Sequence, residues 1–177
     1  SLEVHAGQSA AFVAGFETAR GQYVMTMDAD GQNAPADGLK LLDVVRGPGP
    51  ATAAVGYRRR LVDTRWKQIQ SRIANRVRDV ITGDDVRDTG CSLRVMRRAV
   101  LRQIPRFLGM HRFLPTLLRW AGEEVIEVEV GHRPRWHGRT KYGMWGRLWV
   151  GLRDAFGVGW LLRRRLVYRI LEDHERE

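Results

Sequence analysis

An α/β domain is the fold class that the sequence predicts, on three observations. Gln22-Tyr-Val-Met-Thr-Met27 is a short apolar run with β-branched and aromatic members, the composition of a buried strand. Stretches of helical period flank it, with Phe12, Phe16 and Ala19 on one side and Leu39, Leu42 and Val45 on the other. Two more strand patterns follow, Thr52–Gly56 and the cleanly alternating Glu124–Val130.

The first helix is expected over Ser9–Ala19, with Gly21 ending it. Where the first strand should stop, Asp28 and Asp30 appear, followed by the breakers Gly31 and Pro35. In an open α/β sheet, ligands bind outside the carboxyl ends of the strands. Two carboxylates on a turn there are close enough to share one hard divalent cation, and Mg²⁺ typically takes one or two carboxylates plus phosphate oxygens. Metal-assisted handling of a diphosphate is the chemistry suggested. A solvated acidic turn is the alternative for so short a pattern.

Asp37 is placed to cap a helix running to Arg46, and Gly47-Pro-Gly-Pro50 breaks the chain after it. The strand Thr52–Gly56 then delivers Tyr57-Arg58-Arg59-Arg60 to the same sheet edge as Asp28. Guanidinium groups suit oxygen-rich anions because each bonds bidentately. Thr64 caps a predicted long helix to Thr82, striped by Trp66, Ile69, Ile73, Val77 and Val80 or Ile81. Lys67, Arg72 and Arg76 lie off that stripe. Arg72 is the best of them for a lipid phosphate, an ordinary solvated charge being the alternative.

Gly83–Gly90 is a turn-rich acidic loop before a strand at Cys91–Met96, and Asp88 in it reads either as a site residue or as an Asx-turn cap. Residues 97–121 look helical with interruptions at Pro105 and Pro115. His111 has no His or Cys at ligand spacing, which argues against metal binding. In Glu124–Val130, Ile126, Val128 and Val130 share one face and Glu127 and Glu129 the other, the pattern of a half-exposed strand near a sheet edge. Arg133, Arg135, Arg139 and Lys141 then crowd together and would repel one another unless an anion organises them. Gly138 permits close backbone approach, and Thr140 adds a hydroxyl beside Lys141. Beyond them Trp145, Leu148, Trp149, Leu152 and Phe156 form an apolar stripe flanked by Arg147 and Arg153, and residues 160–171 repeat the theme. Tryptophan with arginine on an amphipathic helix suits an interface with anionic lipid; packing on the chain's own domain is the alternative.

Composition agrees with a phosphate-bearing partner. Thirty Lys and Arg stand against 20 Asp and Glu, a formal net charge of +10 over 177 residues. The arginines fall on helices and beside carboxylates rather than alone on one face, which argues against nucleic acid. The single Cys91 excludes an intramolecular disulfide and fits a reducing compartment. No apolar run of about 18 residues occurs, the length a spanning helix needs.

As a set, Gly7-Gln-Ser-Ala-Ala-Phe12, Gly15, Ala19-Arg-Gly21, Met27-Asp-Ala-Asp-Gly-Gln32, Pro35, Val55-Gly-Tyr-Arg58, Asp88-Thr-Gly-Cys91, His111-Arg-Phe-Leu-Pro115 and Arg135-Trp-His-Gly-Arg-Thr-Lys-Tyr142 resemble the inverting glycosyltransferases of the dolichyl-phosphate mannosyltransferase and polyprenyl-phosphate glycosyltransferase type. The resemblance covers residues 4 to about 145, in the family's order. It implies a GT-A fold, a Rossmann-like mixed sheet flanked by helices. It implies Mg²⁺ or Mn²⁺ on Asp28 and Asp30, joined by Gln32, with Gly7 and His111 beside the nucleotide-sugar donor. Arg58, Arg72, Arg135, Thr140 and Lys141 would meet phosphates of donor or polyprenyl-phosphate acceptor, and Asp88 would lie at the floor of the site.

The family's opening Pro-x-Tyr-Asn-Glu strand is not among these residues, so an N-terminally truncated catalytic domain over 1–142 is expected. Residues 143–171 are then membrane-interfacial helices and 172–177 a solvated tail, with the protein peripheral on the cytoplasmic face. Self-association through an uncovered strand stays open. So does the other reading, an inactive fragment or a basic module that binds lipid or polyanion without turnover.

Overall fold

The computed structural model describes residues 6–58, 76–131, 133 and 144–164, with the side chains of 144–149 excepted. Four strands, β1 (Tyr23–Thr26), β2 (Ala53–Arg58), β3 (Arg94–Arg97) and β4 (Val125–Val130), form one mixed sheet in the order β1-β3-β2-β4. β3 runs antiparallel to both β1 and β2, and β4 runs parallel to β2. β1, β2 and β4 therefore point the same way. Asp28, Arg58 and Gly131, which follow or end those strands, and the loop entering β3 all gather at one edge of the sheet.

Strand residues alternate between faces, and this divides the core in two. Ala53, Val55, Met96 and Val125 join Val100, Leu101, Ile104, Met110, Phe113, Leu114, Leu117, Leu118, Ala155 and Val158 on one face. Ala54, Val95 and Val130 join Leu41, Val45, Cys91 and Leu93 on the other. Helix α1 (Gly7–Thr18) rests Phe12 and Phe16 on the first cluster, their rings 5.9 Å apart and edge to face. Helix α2 (Pro35–Arg46) covers the second with Leu41 and Val45. Residues 76–82 are helical (α3); α4 is Leu114–Trp120 and α5 is Met144–Leu162.

Several expectations are corrected. β1 is an end strand of this sheet and only half-buried, with Met25 42% exposed, because a neighbour covers it on one side alone. α1 stops at Thr18, ahead of the expected end at Ala19, whose backbone is already extended. Asp37 does not cap α2: Ala34 holds that position, and Asp37 lies inside the first turn, buried. Leu39 points to solvent, 59% exposed, since the face turned inward is set by Leu41 and Val45. On α3 it is Ile81 that packs on the core, while Val80 is exposed. Residues 97–121 hold two 3-10 turns, Arg98–Gln103 and Met110–Arg112, before α4. Pro115 opens α4 rather than breaking it, since the first turn needs no amide donor. β4 stands at the other end of the sheet with Val130 buried, but Ile126, expected on the same inward face, is exposed, and Val125 on the opposite face is buried in the first cluster. Thr64, Trp66, Lys67, Ile69, Arg72, Ile73, the stretch 134–143 and residues 165–177 lie outside the described residues.

Gly56 shows how tightly β2 and β4 meet. A Cβ there would come within 2.9 Å of Val130 Cγ2 and 3.0 Å of Cys91 Sγ. Gly56→Ala is expected to destabilise the fold by about 1–3 kcal/mol, the usual range for overpacking, as measured by denaturant unfolding.

Candidate active site

The Asp28–Gln32 turn leaves β1 and is held from three directions. Gln8, in the first turn of α1, donates Nε2–H to Asp28 Oδ1 at 3.3 Å. Ser92 Oγ accepts both the Asp28 amide and Asn33 Nδ2, each at 3.0 Å. Thr26 fixes Ser92 in turn, donating its hydroxyl to the Ser92 carbonyl at 2.9 Å. Within the turn the Gln32 amide donates to Asp30 Oδ1 at 3.2 Å, and Gly31 adopts φ +76°, a conformation that favours glycine. Gly7 has φ +79° where α1 begins, so a glycine is required there by backbone conformation. Gln8, next to it, brings that helix start against Asp28.

At the end of β2, Arg58 and Asp88 form a fork. Arg58 Nε donates to Asp88 Oδ2 at 2.7 Å and Nη2 to Oδ1 at 3.0 Å; the Arg58 amide adds a bond to Oδ2 at 3.2 Å. Asp88 also accepts the Gly90 amide at 3.1 Å, so it is an Asx-turn acceptor and an arginine partner at once. The carboxylate is 5% exposed and the guanidinium 23%. The bonds to Asp88 raise the Arg58 pKa further above its usual value despite burial, so the guanidinium stays charged.

Arg94 joins this fork to the His111 segment from below. Its Nη1 donates to the His111 carbonyl at 2.8 Å and its Nη2 to the Thr89 carbonyl at 3.1 Å. The side chain is enclosed, and burial pulls its pKa down to about 10, against the attraction of Cys91, Asp28 and Asp88. It remains a cation at pH 7 and sets a positive field under the turn and the fork. His111 stacks on Phe12, with ring centroids 6.0 Å apart, and its Nδ1 lies 2.9 Å from Ser9 Oγ. Because Ser9 Oγ takes the Gly109 amide at 2.8 Å, its own hydrogen is available to Nδ1 of a neutral ring.

Burial, and then the charges of Arg112 and Arg94, lower the His111 pKa below its ordinary 6.5. The unfolded chain therefore binds this proton more readily than the folded one. Stability from His111 is present above about pH 6.5 and falls as pH drops from there toward the lowered value. His111→Gln is expected to flatten that part of the pH–stability curve, measured by thermal melting between pH 5 and 7.5.

Sequence-predicted residues Gly7, Asp28, Asp30, Gln32, Arg58, Asp88 and His111 thus meet at one edge, while Arg72, Arg135, Thr140 and Lys141 lie outside the described residues. Gln8, Ser9, Asn33, Ser92 and Arg94 were not expected. Only Arg94 carried a signal, a lone charge inside the apolar run Cys91–Met96. Among the described residues no group of three or more His, Cys, Asp or Glu could hold a metal ion. Asp28 and Asp30 are an all-oxygen pair, which fits Mg²⁺ or Mn²⁺ only when a ligand's phosphate oxygens and water complete the shell.

Comparison with known proteins shows the family. Residues 2–105 match the profile of Glycosyl transferase family 2, and the chain belongs to that family. It is 36% identical over 138 residues to an undecaprenyl-phosphate 4-deoxy-4-formamido-L-arabinose transferase of Aeromonas hydrophila, covering 78% of this chain and 42% of that protein. It is 33% identical over 165 residues to a dodecaprenyl-phosphate galacturonate synthase of Rhizobium johnstonii, covering 92% and 48%. The chain thus spans less than half the length of these relatives. Among solved structures it resembles glucosyl-3-phosphoglycerate synthase from Mycobacterium tuberculosis in complex with Mg²⁺ and UDP, with a TM-score of 0.62 at 15% identity, over 89% of this chain and 57% of that one. The fold is therefore GT-A, as the resemblance implied.

Proposed function

We propose that the chain is the catalytic core, over 1–142, of an enzyme that transfers a sugar from a nucleotide-sugar donor to a polyprenyl phosphate. The observation that carries this reading is that β1 and β2 point the same way, so the Asp28–Asp30 turn and the Arg58–Asp88 fork leave the sheet at the same end. The names of the two relatives, a transferase and a synthase acting on prenyl phosphates, support the acceptor class.

In this reading Asp28 and Asp30, with Gln32, would hold Mg²⁺ or Mn²⁺, which supplies Lewis-acid stabilisation of the departing nucleoside diphosphate. Arg58 holds the acceptor phosphate. That phosphate is already ionised at pH 7, so no strong base is needed. One of its oxygens bonds to the anomeric carbon as the carbon–oxygen bond to the donor diphosphate breaks, inverting the centre. The electron pair leaves with the nucleoside diphosphate. Asp88 orients Arg58, with positioning rather than proton transfer as its contribution. His111 and the α1 start at Gly7 border the donor sugar. Arg72, Arg135, Thr140 and Lys141 are assigned to phosphates by resemblance alone.

Helix α5 supports a peripheral place on a membrane surface. Ala155 and Val158 pack on the core, while Phe156 and Trp160 are 64% and 59% exposed beside Arg153 and Arg164. Arg164 lies over the Trp160 ring at 4.7 Å. No helix among the described residues is long and apolar enough to cross a membrane. An exposed aromatic and arginine face is suited to anionic headgroups.

The test is transfer of labelled sugar from UDP- and GDP-sugars to undecaprenyl phosphate, with Mn²⁺ or with chelator. Labelled lipid formed only with metal is expected. Binding to anionic vesicles with no transfer from any donor would instead favour a lipid-binding module.

A further inference from the structure

The chain leaving β4 is tied by one hydrogen bond to helix α2 and by another to the acidic turn, and of the residues so far given a role in binding only the Gln32 peptide takes part. The Gly131 amide donates to Asp37 Oδ2 at 2.9 Å, and the Arg133 amide donates to the Gln32 carbonyl at 3.0 Å. Gln32 also donates its own amide to Asp30 Oδ1. One residue's backbone thus touches Asp30 on one side and the β4 exit on the other.

Asp37 is built to hold this contact. It is 7% exposed, and its second oxygen accepts Lys40 Nζ at 2.6 Å. The Lys40 bond, the Gly131 amide and the Arg133 charge together keep its carboxyl below the ordinary range, in spite of burial, so it accepts at neutral pH. β4 is already paired to β2 as far as Arg58 and Val130. Asp37 closes on Gly131. Gly131 stands two positions before Arg133, so holding it limits where the Arg133 amide can reach, and that amide bonds the Gln32 carbonyl.

We propose that Asp37 is a positioning residue of the donor site, clamping Gly131 so that the Gln32 backbone presents Asp30 in the geometry a divalent cation and donor diphosphate require. This rests on the function proposed above. Asp37 touches no reacting group and acts through Gly131 and Gln32. Removing partners that orient metal ligands commonly costs 10–100-fold in metal affinity.

Amide hydrogen exchange at Gly131 and Arg133, read beside the Mn²⁺ dependence of nucleotide-sugar binding, tests the clamp in Asp37→Ala, Asp37→Asn, Gly131→Ala and Lys40→Ala. Asp37→Ala is expected to speed exchange at both amides and to raise the apparent Mn²⁺ constant about tenfold, with kcat at saturating metal and donor nearly kept. Asp37→Asn, whose amide oxygen still accepts, should recover most of this. Gly131→Ala, whose Cβ would stand 3.3 Å from Asp37 Oδ2, should shift the same quantities from the other side and serves if Asp37→Ala does not fold. Lys40→Ala should leave the Arg133 amide protected. Unchanged Arg133 exchange and an unchanged Mn²⁺ constant in folded Asp37→Ala, or in Gly131→Ala, would overturn the proposal. If the unaltered protein binds no donor with Mn²⁺, the functional reading fails, while exchange at Gly131 and Arg133 still decides whether the clamp exists.

Discussion

Asp30→Ala is expected to lower sugar transfer at fixed Mn²⁺ by about 10²–10³-fold, the usual loss when one preorganised stabiliser of a leaving group's charge is removed. The prediction follows from the small donor set. With two carboxylates on the turn, losing one leaves a lone carboxylate, and a hard divalent cation then depends almost wholly on the donor's phosphates. The loss should appear as a raised metal requirement as well as a lower rate, and the fold should survive, because Asp30 lies on a surface turn and belongs to neither core cluster. Steady-state transfer across a Mn²⁺ series, with melting as the folding control, measures it. A variant with unaltered metal dependence would remove Asp30 from the cation site.

The second large effect concerns stability. Arg58→Met is expected to cost about 3 kcal/mol, because it takes the guanidinium away from an enclosed Asp88 carboxylate. For a domain of this size that is roughly 6–12 °C in Tm. Adding Asp88→Asn should restore part of the loss, since the neutral amide still accepts the main-chain amides without a buried charge to compensate. Transfer should stay lost in both, because Arg58, proposed to hold the acceptor phosphate, is gone. Chemical denaturation of the two singles and the double gives the coupling. A single Arg58→Met that melts like the parent would show that the fork contributes nothing net.

How much of this was readable beforehand depends on the kind of interaction. Strand alternation is local, so β4, its end position and its buried Val130 followed from Glu124–Val130, whereas the exposure of Ile126 and burial of Val125 depend on which neighbours cover each face and did not. The Asp28–Asp30 turn was legible because a run of strand formers stops against acids, Gly31 and Pro35. The half-exposure of β1 was not, because an end strand and a central strand share one composition and differ only in their neighbours. Asp37 misled for a similar reason: an acid near a helix start suggests a cap, whereas its true partner, Gly131, lies 94 positions away. Ser92 and Ser9 carry no pattern at all, since a serine hydroxyl serves a distant amide or imidazole as readily as water. Arg94 could have been suspected from a charge within an apolar run, although its carbonyl partners at Thr89 and His111 could not.

The central claim is that the acidic turn binds a nucleotide sugar through a divalent cation. Isothermal titration of the folded protein with UDP-glucose and GDP-mannose, with and without Mn²⁺ and beside Asp30→Ala, tests it most directly. The account predicts binding of one donor that needs both the metal and Asp30. Metal-independent binding, or equal binding by Asp30→Ala, would contradict it.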